Sequence, residues 1–186
     1  MTHSDVKGGA RILAIACGPL KARKALMVGV VGRSGGIVEG ILSSEITVDG
    51  TDSTSGIIGM LGKSRFRDQV RLLALNGIAM AGLNVVDAGA LGEALGTKVL
   101  LITKRKPARP RLLNALKAFS GRTGAHVEGR LGLVKKPGAR IELREGVYVQ
   151  SYGDIGDGAI RASYGLLRLA HMIASGISIG ESRGRL

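Results

Sequence analysis

Aromatic side chains are scarce in this sequence, which has two Phe, three Tyr and no Trp among its 186 residues. Protein modules that hold single-stranded nucleic acid by stacking bases on aromatic rings need more of them. The shortage disfavours that class of protein. Any recognition of a polyanion is left to lysine and arginine, which contact phosphates and sugars more than bases.

Cysteine and histidine are also rare. The single cysteine is Cys17, and the histidines are His3, His126 and His171. One cysteine cannot form an internal disulfide, which fits a reducing compartment, so we expect the cytoplasm. These four residues lie too far apart in the sequence for the ligand spacing of a zinc site. We therefore predict no metal site and no cofactor from them.

Long apolar runs are missing as well. The longest, from Ala25 to Val31, falls far short of the roughly 18 residues that a membrane-spanning helix needs. The first residues, MTHSDVKGGAR, lack the apolar core of a secretory signal. We expect no membrane partner.

What the chain has in excess is positive charge. It carries 27 Lys and Arg against 14 Asp and Glu, a formal net charge of +13. So large an excess indicates a polyanionic partner, for which we predict nucleic acid. A hydrophobic content of 45% is typical of a folded protein. The length suggests a single domain over residues 1–186, with residues 1–9 as a flexible tail.

Apolar periodicity and turn residues predict an alternating series of elements. The predicted strands are 11–17, 25–31, 37–48, 69–75, 98–103 and 146–151, and the predicted helices are 54–61, 87–95, 110–120 and 163–174. Asp52 or Ser53 is the predicted cap of the first helix, and Asp87 that of the second. An antiparallel three-strand meander followed by βαβ units predicts an α/β, ribonuclease-H-like fold.

The positive charge is concentrated in one segment, residues 104–144, which we predict to be a basic, irregular insert. Its twelve basic residues against two acids, Glu128 and Glu142, give 12 − 2 = +10. A one-signed segment is better suited to following phosphates than to solubility alone. With two arginines near the end of the chain, the predicted nucleic-acid contacts are Lys104, Arg105, Lys106, Arg109, Arg111, Lys117, Arg122, Arg130, Lys135, Lys136, Arg140, Arg144, Arg183 and Arg185.

Several motifs together resemble the archaeal endonuclease dU family. The segments that carry the likeness are IACGP at 15–19, ITVDG at 46–50, NGI at 76–78, GLNVVD at 82–87 and GESRGR at 180–185. The resemblance covers roughly residues 10–104 and 163–186. It implies a fold related to endonuclease V and cleavage of DNA near deaminated bases with a divalent metal ion.

The chain departs from that family where the acids are expected. Ala16 and Cys17 stand in place of an Asp-Asp pair, and Asn76 in place of an aspartate. Neither alanine nor a lone cysteine replaces a hard oxygen ligand for Mg²⁺. The candidate catalytic residues, if the chain is active, are Asp49, Asp52 and Glu181. The first two also have structural interpretations, as turn and helix-cap residues.

These observations favour a non-catalytic nucleic-acid-binding protein on a degenerate endonuclease scaffold, a pseudoenzyme. RNA is favoured over DNA, and association with the ribosome is one form this function could take. The alternative is a metal-dependent endonuclease on uracil- or inosine-containing DNA, which would need Mg²⁺ or Mn²⁺. A third possibility is a basic protein-interaction module.

Overall fold

The computed structural model describes residues 10–20, 23–33, 35–135 and 141–182. The predicted flexible tail at 1–9 lies outside these residues. Within them, no helix combines the length and the apolar character that crossing a bilayer requires.

The described chain is built from short strands and helices in the order predicted for its first two thirds. The strands are β1 (Arg11–Cys17), β2 (Lys24–Arg33), β3 (Val38–Thr47), β4 (Val70–Leu75), β5 (Ala79–Met80), β6 (Asn84–Val85), β7 (Lys98–Thr103), β8 (Glu142–Arg144) and β9 (Val147–Tyr152). The helices are α1 (Ser53–Gly62), α2 (Ala88–Leu95), α3 (Arg109–Thr123), α4 (Glu128–Lys135) and α5 (Asp157–Ile179).

A seven-stranded sheet in the order β3-β2-β1-β4-β7-β9-β8 forms the centre of the described structure. β1, β2 and β3 are an antiparallel meander, with Ala14 opposite Val30 and Val28 opposite Ser43. β4 lies parallel to both β1 and β7, and β9 runs antiparallel to β7. The predicted meander and the parallel strands after it are therefore confirmed, as a mixed α/β sheet.

Both faces of the sheet are covered because its strands are apolar on both sides. On one face Leu13 and Ile15 of β1 pack with Ile57 and Leu61 of α1 and with α2. On the other face the alternate β1 residues pack against α5, which spans the sheet's first strands. α5 begins earlier than predicted, at Asp157, and the apolar residues of its first turns join this core.

α3 and α4 form a third, smaller layer at one edge of the sheet. They enclose a separate apolar cluster centred on Leu116, Val127 and Val134. The prediction of an irregular insert over 104–144 is wrong where the chain is described, since α3 continues to Thr123 and α4 and β8 follow. α4 has only three apolar residues, Leu131, Leu133 and Val134, which are too few to give a clear helical period in the sequence.

Gly18, directly after β1, lies in close contact with the backbone of α5. A β-carbon at this position would lie 2.7 Å from both the Ala174 carbonyl oxygen and the Ser178 Oγ. The backbone carbonyl cannot move without shifting the helix, so only glycine fits here.

We therefore expect Gly18→Ala to lower the free energy of unfolding by about 1–3 kcal/mol, the usual cost of overpacking. Gly35→Ala is the matched control, because a β-carbon there meets nothing within 4 Å. Urea denaturation of both variants measures the difference. Equal stability of the two would contradict the close contact between β1 and α5.

Candidate functional site

The carboxyl ends of the parallel strands meet at one edge of the sheet. β1 ends at Cys17, β4 at Leu75 and β7 at Thr103, and the antiparallel pairing of β2 with β3 brings Thr47 to the same edge. In open α/β sheets this is the edge where ligands bind. The candidate catalytic residues, Asp49 and Asp52, follow Thr47 and lie here.

The carboxylate of Asp52 is fully occupied by hydrogen bonds from within the chain. Thr47 donates from its amide to both oxygens at 3.1 Å and from its hydroxyl at 2.7 Å, and Asn84 Nδ2 donates at 2.7 Å. Partial burial opposes ionisation, but the bonds from Thr47 and Asn84 outweigh it and hold the pKa of Asp52 below its ordinary value. Asp52 occupies the predicted N-cap position of α1, but its side chain makes no capping hydrogen bond there. Asp87, in contrast, caps α2 as predicted, accepting from the Ala90 amide at 3.1 Å.

Asp49 stabilises a tight turn through hydrogen bonds of its side chain and its backbone. Its φ of 56° is left-handed, which fits its predicted role as a turn residue. Its Oδ1 accepts a 2.8 Å hydrogen bond from the Leu83 amide, and its own amide donates to the Ala81 carbonyl at 2.9 Å. That Oδ1 occupies the space that a β-carbon on Gly82 would take, so the carboxylate packs directly against Gly82.

A buried arginine fastens the α3–α4 layer to this turn. Arg130 of α4 is 5% exposed, and its Nη1 donates to the carbonyls of Asp49 at 2.7 Å and Leu83 at 3.2 Å. Its guanidinium also lies over the Phe119 ring, 5.3 Å from the centroid. The prediction of Arg130 as a nucleic-acid contact is therefore wrong, because its guanidinium is buried and donates to carbonyls within the chain.

The other residues at this edge give no hard oxygen cluster. Ala16 is buried. Burial raises the pKa of the Cys17 thiol to about 11, and a hydrogen bond with the Ala81 backbone lowers it only in part. The thiol is therefore neutral at physiological pH. Asn76 is exposed at the end of β4, and Glu181 is exposed just beyond α5.

This donor set does not fit the divalent metal ions that phosphodiester cleavage of this type uses. Such ions need several free carboxylate oxygens brought together. Here both Asp52 oxygens and the Asp49 Oδ1 already accept bonds from groups within the chain. Among the described residues, no group of three or more His, Cys, Asp or Glu side chains is placed to hold a metal ion.

Exposed basic side chains lie beside this edge, in the loop after β7 and on α3. No Asp or Glu occurs between Glu93 and Glu128. Arg111 and Arg122 lie eleven residues apart, which places them on one face of α3 about 16 Å from each other along the helix. In the part of the chain that the structure describes, none of these side chains has a carboxylate partner. We call this group the α3 surface: Lys104, Arg105, Lys106, Arg111, Lys117 and Arg122.

The remaining members of the predicted contact set are placed differently. Lys135 is exposed at the end of α4. Arg109 is half-buried and lines a cavity. Arg144 donates to Asp157 at 2.8 Å and to the Ile155 carbonyl at 3.0 Å, so its charge is paired within the chain. Lys136, Arg140, Arg183 and Arg185 lie outside the described residues.

The cavity beside the α3 surface opens between the end of β4 and the start of α3. It has a volume of about 240 Å³, with Asn76, Thr103 and Arg109 among its polar lining and Leu112 and Leu133 among its apolar walls. Ligand pockets usually enclose about 300–1,000 Å³. This one therefore has room for a single small ring system at most.

Asn84 is the residue whose role sequence reasoning missed. Fully buried, it accepts from the Ser53 amide at 3.1 Å and donates to the Thr47 carbonyl at 2.9 Å as well as to Asp52. It thus joins β3, α1 and β6. The GLNVVD motif contained it, but a buried asparagine gives no signal of its partners until the strands are placed.

Removal of the Arg130 side chain should destabilise the fold, because it leaves buried carbonyls without a donor. We expect Arg130→Met to lower the free energy of unfolding by at least about 2 kcal/mol. Arg122→Met, at an exposed position of α3, should change it by less than about 0.5 kcal/mol. Urea denaturation of both variants measures the two free energies of unfolding. Similar losses of stability for both would contradict a structural role for the buried Arg130 side chain.

The depressed pKa of Asp52 makes a prediction about acid stability. Its ionised form contributes stability above the ordinary aspartate pKa, near 3.8, and this contribution is lost as pH falls through the lower folded-state pKa. We expect Asp52→Asn to be less stable than wild type at neutral pH, with a gap that closes below pH about 4. Asp68→Asn is the control for the substitution itself, because this carboxylate is exposed on the surface. If the difference in stability between wild type and Asp52→Asn stayed constant down to low pH, it would contradict the role of the hydrogen bonds to the ionised Asp52.

Comparison with known proteins places this architecture in a family. The model of the endonuclease dU family matches residues 8–178. A UPF0215 protein of Methanosarcina mazei is 37% identical over 195 aligned residues, covering 97% of this chain and 96% of that protein. A UPF0215 protein of Methanothermobacter thermautotrophicus is 36% identical, covering 97% of this chain and 93% of that protein.

Solved structures agree with the fold. A protein of unknown function from Archaeoglobus fulgidus superposes with a TM-score of 0.80 at 29% identity, covering 90% of this chain and 98% of that one. Human endonuclease V superposes with a TM-score of 0.49 at 11% identity, over 88% of this chain and 82% of its own, a likeness too low to carry an inference. From the family match and the 97% coverage by relatives above 30% identity, the chain belongs to the endonuclease dU family.

Proposed function

We propose that this protein binds nucleic acid through the α3 surface and does not cleave it at the strand edge. RNA is the favoured ligand. The proposal rests on an observation at one edge of the sheet. Six exposed cations there have no carboxylate partner in the described chain, and the aspartates beside them are engaged in internal hydrogen bonds.

The scaffold supports a link to nucleases. The strand order β3-β2-β1-β4-β7, with an antiparallel meander followed by parallel strands, is the order expected of a ribonuclease-H-like fold. Family membership also associates the chain with proteins named for endonuclease activity. On such a scaffold, cleavage depends on carboxylates at the strand ends, and here Ala16, Cys17 and Asn76 occupy those positions.

The α3 surface is suited to phosphates. Its charges are carried by flexible side chains on a helix and by the loop that leads into it, and α3 has no side-chain cap at its N-terminus. Free amides at a helix N-terminus attract anions in the same way as the basic residues around them. Contacts of this kind position a polyanion without reading its sequence.

RNA is favoured over DNA on composition. Double-stranded RNA is recognised mainly through its shape and backbone, which needs basic residues and few aromatic ones. A structured RNA also offers unpaired bases, and the cavity next to Asn76 is small enough to hold one base and no larger ligand. Association with the ribosome is one setting in which such an RNA would be met.

The second candidate function is a metal-dependent endonuclease on uracil- or inosine-containing DNA, favoured by the family match alone. It would need Asp49, Asp52 and Glu181 to leave their present surroundings and collect around a metal ion. A nicking assay on uracil-containing duplex with Mg²⁺ or Mn²⁺ tests it. Robust cleavage that disappears in Glu181→Ala would overturn the binding-only proposal.

Binding through the α3 surface should be strongly salt-dependent. Each phosphate contact contributes about −0.9 to the slope of log K against log salt on a duplex. We expect Arg111→Gln with Arg122→Gln to reduce the magnitude of that slope by about 1.8 for a structured RNA duplex. Fluorescence anisotropy over a salt series measures it.

The control is Arg161→Gln with Arg168→Gln, which removes the same number of charges from α5, where Arg161 is paired with Glu145 at 3.0 Å. Its slope should equal that of wild type. Equal slopes for all three proteins would show that α3 is not the contact surface. The same titrations with DNA of the same sequence test the RNA preference, and sedimentation of lysate with and without ribonuclease tests ribosome association.

A further inference from the structure

A second basic group lies between α1 and β4, away from the α3 surface. Four of the nine residues from 63 to 71 are basic, and one, Asp68, is acidic. All four basic side chains are exposed: Lys63, Arg65, Arg67 and Arg71. Within the described chain, none of them has a carboxylate partner.

Two of these arginines line a cleft. Arg67 and Arg71 border a concave space of about 500 Å³, together with Asp68 and with Leu95 and Gly96 at the end of α2. The guanidinium group presents several donors in a fixed fork that matches a phosphate. With two arginines against one aspartate, the lining of the cleft keeps a net positive charge.

The turn that carries these residues is firmly held. Phe66 is 6% exposed and packs against β3, where a β-carbon on Gly40 would lie 2.5 Å from its ring. The amides of Gln69 and Val70 both donate to the Phe66 carbonyl, at 2.9 and 3.1 Å. The backbone of the cleft is therefore ordered before any ligand arrives, which lowers the entropic cost of binding.

Stabilisation of helix ends does not account for these arginines. Cations near a helix C-terminus can satisfy its free carbonyls. Here the Lys63 amide donates to the Gly59 carbonyl and the Ser64 amide to the Leu61 carbonyl at the end of α1. At the end of α2 the Thr97 amide donates to the Gly92 carbonyl. Arg71 has one hydrogen bond to a carbonyl, that of its neighbour Val70, at 3.3 Å.

The cleft and the α3 surface lie at opposite edges of the sheet. Gly96 comes just before β7 begins at Lys98, and Lys104 comes just after it ends at Thr103. Six residues of strand span about 20 Å. This is more than twice the Debye length of about 8 Å at physiological salt, so the two surfaces act independently.

We propose that the Arg67–Arg71 cleft is a second phosphate-binding site, through which the protein holds two separate segments of nucleic acid at once. The proposal rests on the proposed function of the α3 surface. One segment lies on α3 and the other at the amino-terminal ends of β4 and β7. The protein then acts as a clamp between two RNA segments, or between two parts of one folded RNA.

The test uses two short RNA hairpins, one labelled with a donor dye and one with an acceptor. Wild-type protein should produce energy transfer between them at stoichiometric concentrations. Arg67→Gln with Arg71→Gln should reduce the affinity for the second hairpin by at least about tenfold, and the transfer with it. Anisotropy should show that the first hairpin still binds with its wild-type affinity.

Two control proteins separate the possible failures. The α5 pair, Arg161→Gln with Arg168→Gln, should keep the energy transfer, and loss of transfer there would mean that net charge and not the cleft is responsible. If wild-type protein binds one hairpin without transfer, or if transfer survives loss of both cleft arginines, the second site is wrong while the α3 surface stands. If wild-type protein binds no hairpin at all, the proposed function itself fails.

Discussion

The attachment of the α3–α4 layer depends on one buried cation. Taking a guanidinium out of water costs free energy that must be recovered from its partners. Arg130 recovers part of it from two carbonyls, those of Asp49 and Leu83, and from the face of Phe119, while its buried Nε has no hydrogen-bond partner among the described residues. Because those carbonyls belong to turns at the carboxyl ends of the strands, the small apolar cluster under α3 is held in a fixed position on the sheet. The orientation of the basic helix follows from that attachment.

Charge therefore has two separate uses in this chain. Some arginines are engaged with partners inside the chain. Arg130 donates to a carbonyl and Arg144 pairs with Asp157. Arg11 and Arg33 each pair with Glu39 at 2.6 Å. The cations of the α3 surface and of the Arg67–Arg71 cleft have no carboxylate partner among the described residues. A count of basic residues along the sequence cannot separate the two groups. The separation needs the positions of the carbonyls and carboxylates that accept from each cation.

Sequence reasoning located most of the sheet because its signals were local. The strands β1 and β7 coincide with their predicted bounds, and the Asp87 cap of α2 is where the pattern placed it. It missed α4, whose apolar residues complete a cluster supplied largely by other elements. It also misjudged Asp52, because its partners Thr47 and Asn84 come from β3 and β6. A hydrogen bond across 32 positions leaves no trace in a periodic pattern.

The occupied state of Asp52 limits what could be rebuilt at this edge. Three donors reach its two oxygens: the Thr47 amide, which lies 3.1 Å from both, the Thr47 hydroxyl and Asn84 Nδ2. New acids at positions 16, 17 and 76 would bring negative charge to the strand ends, but they would not release those oxygens. A metal ion at this carboxylate would compete with the bonds that join β3 to β6. The link between β3 and β6 and a metal centre at the same edge would therefore compete for one side chain.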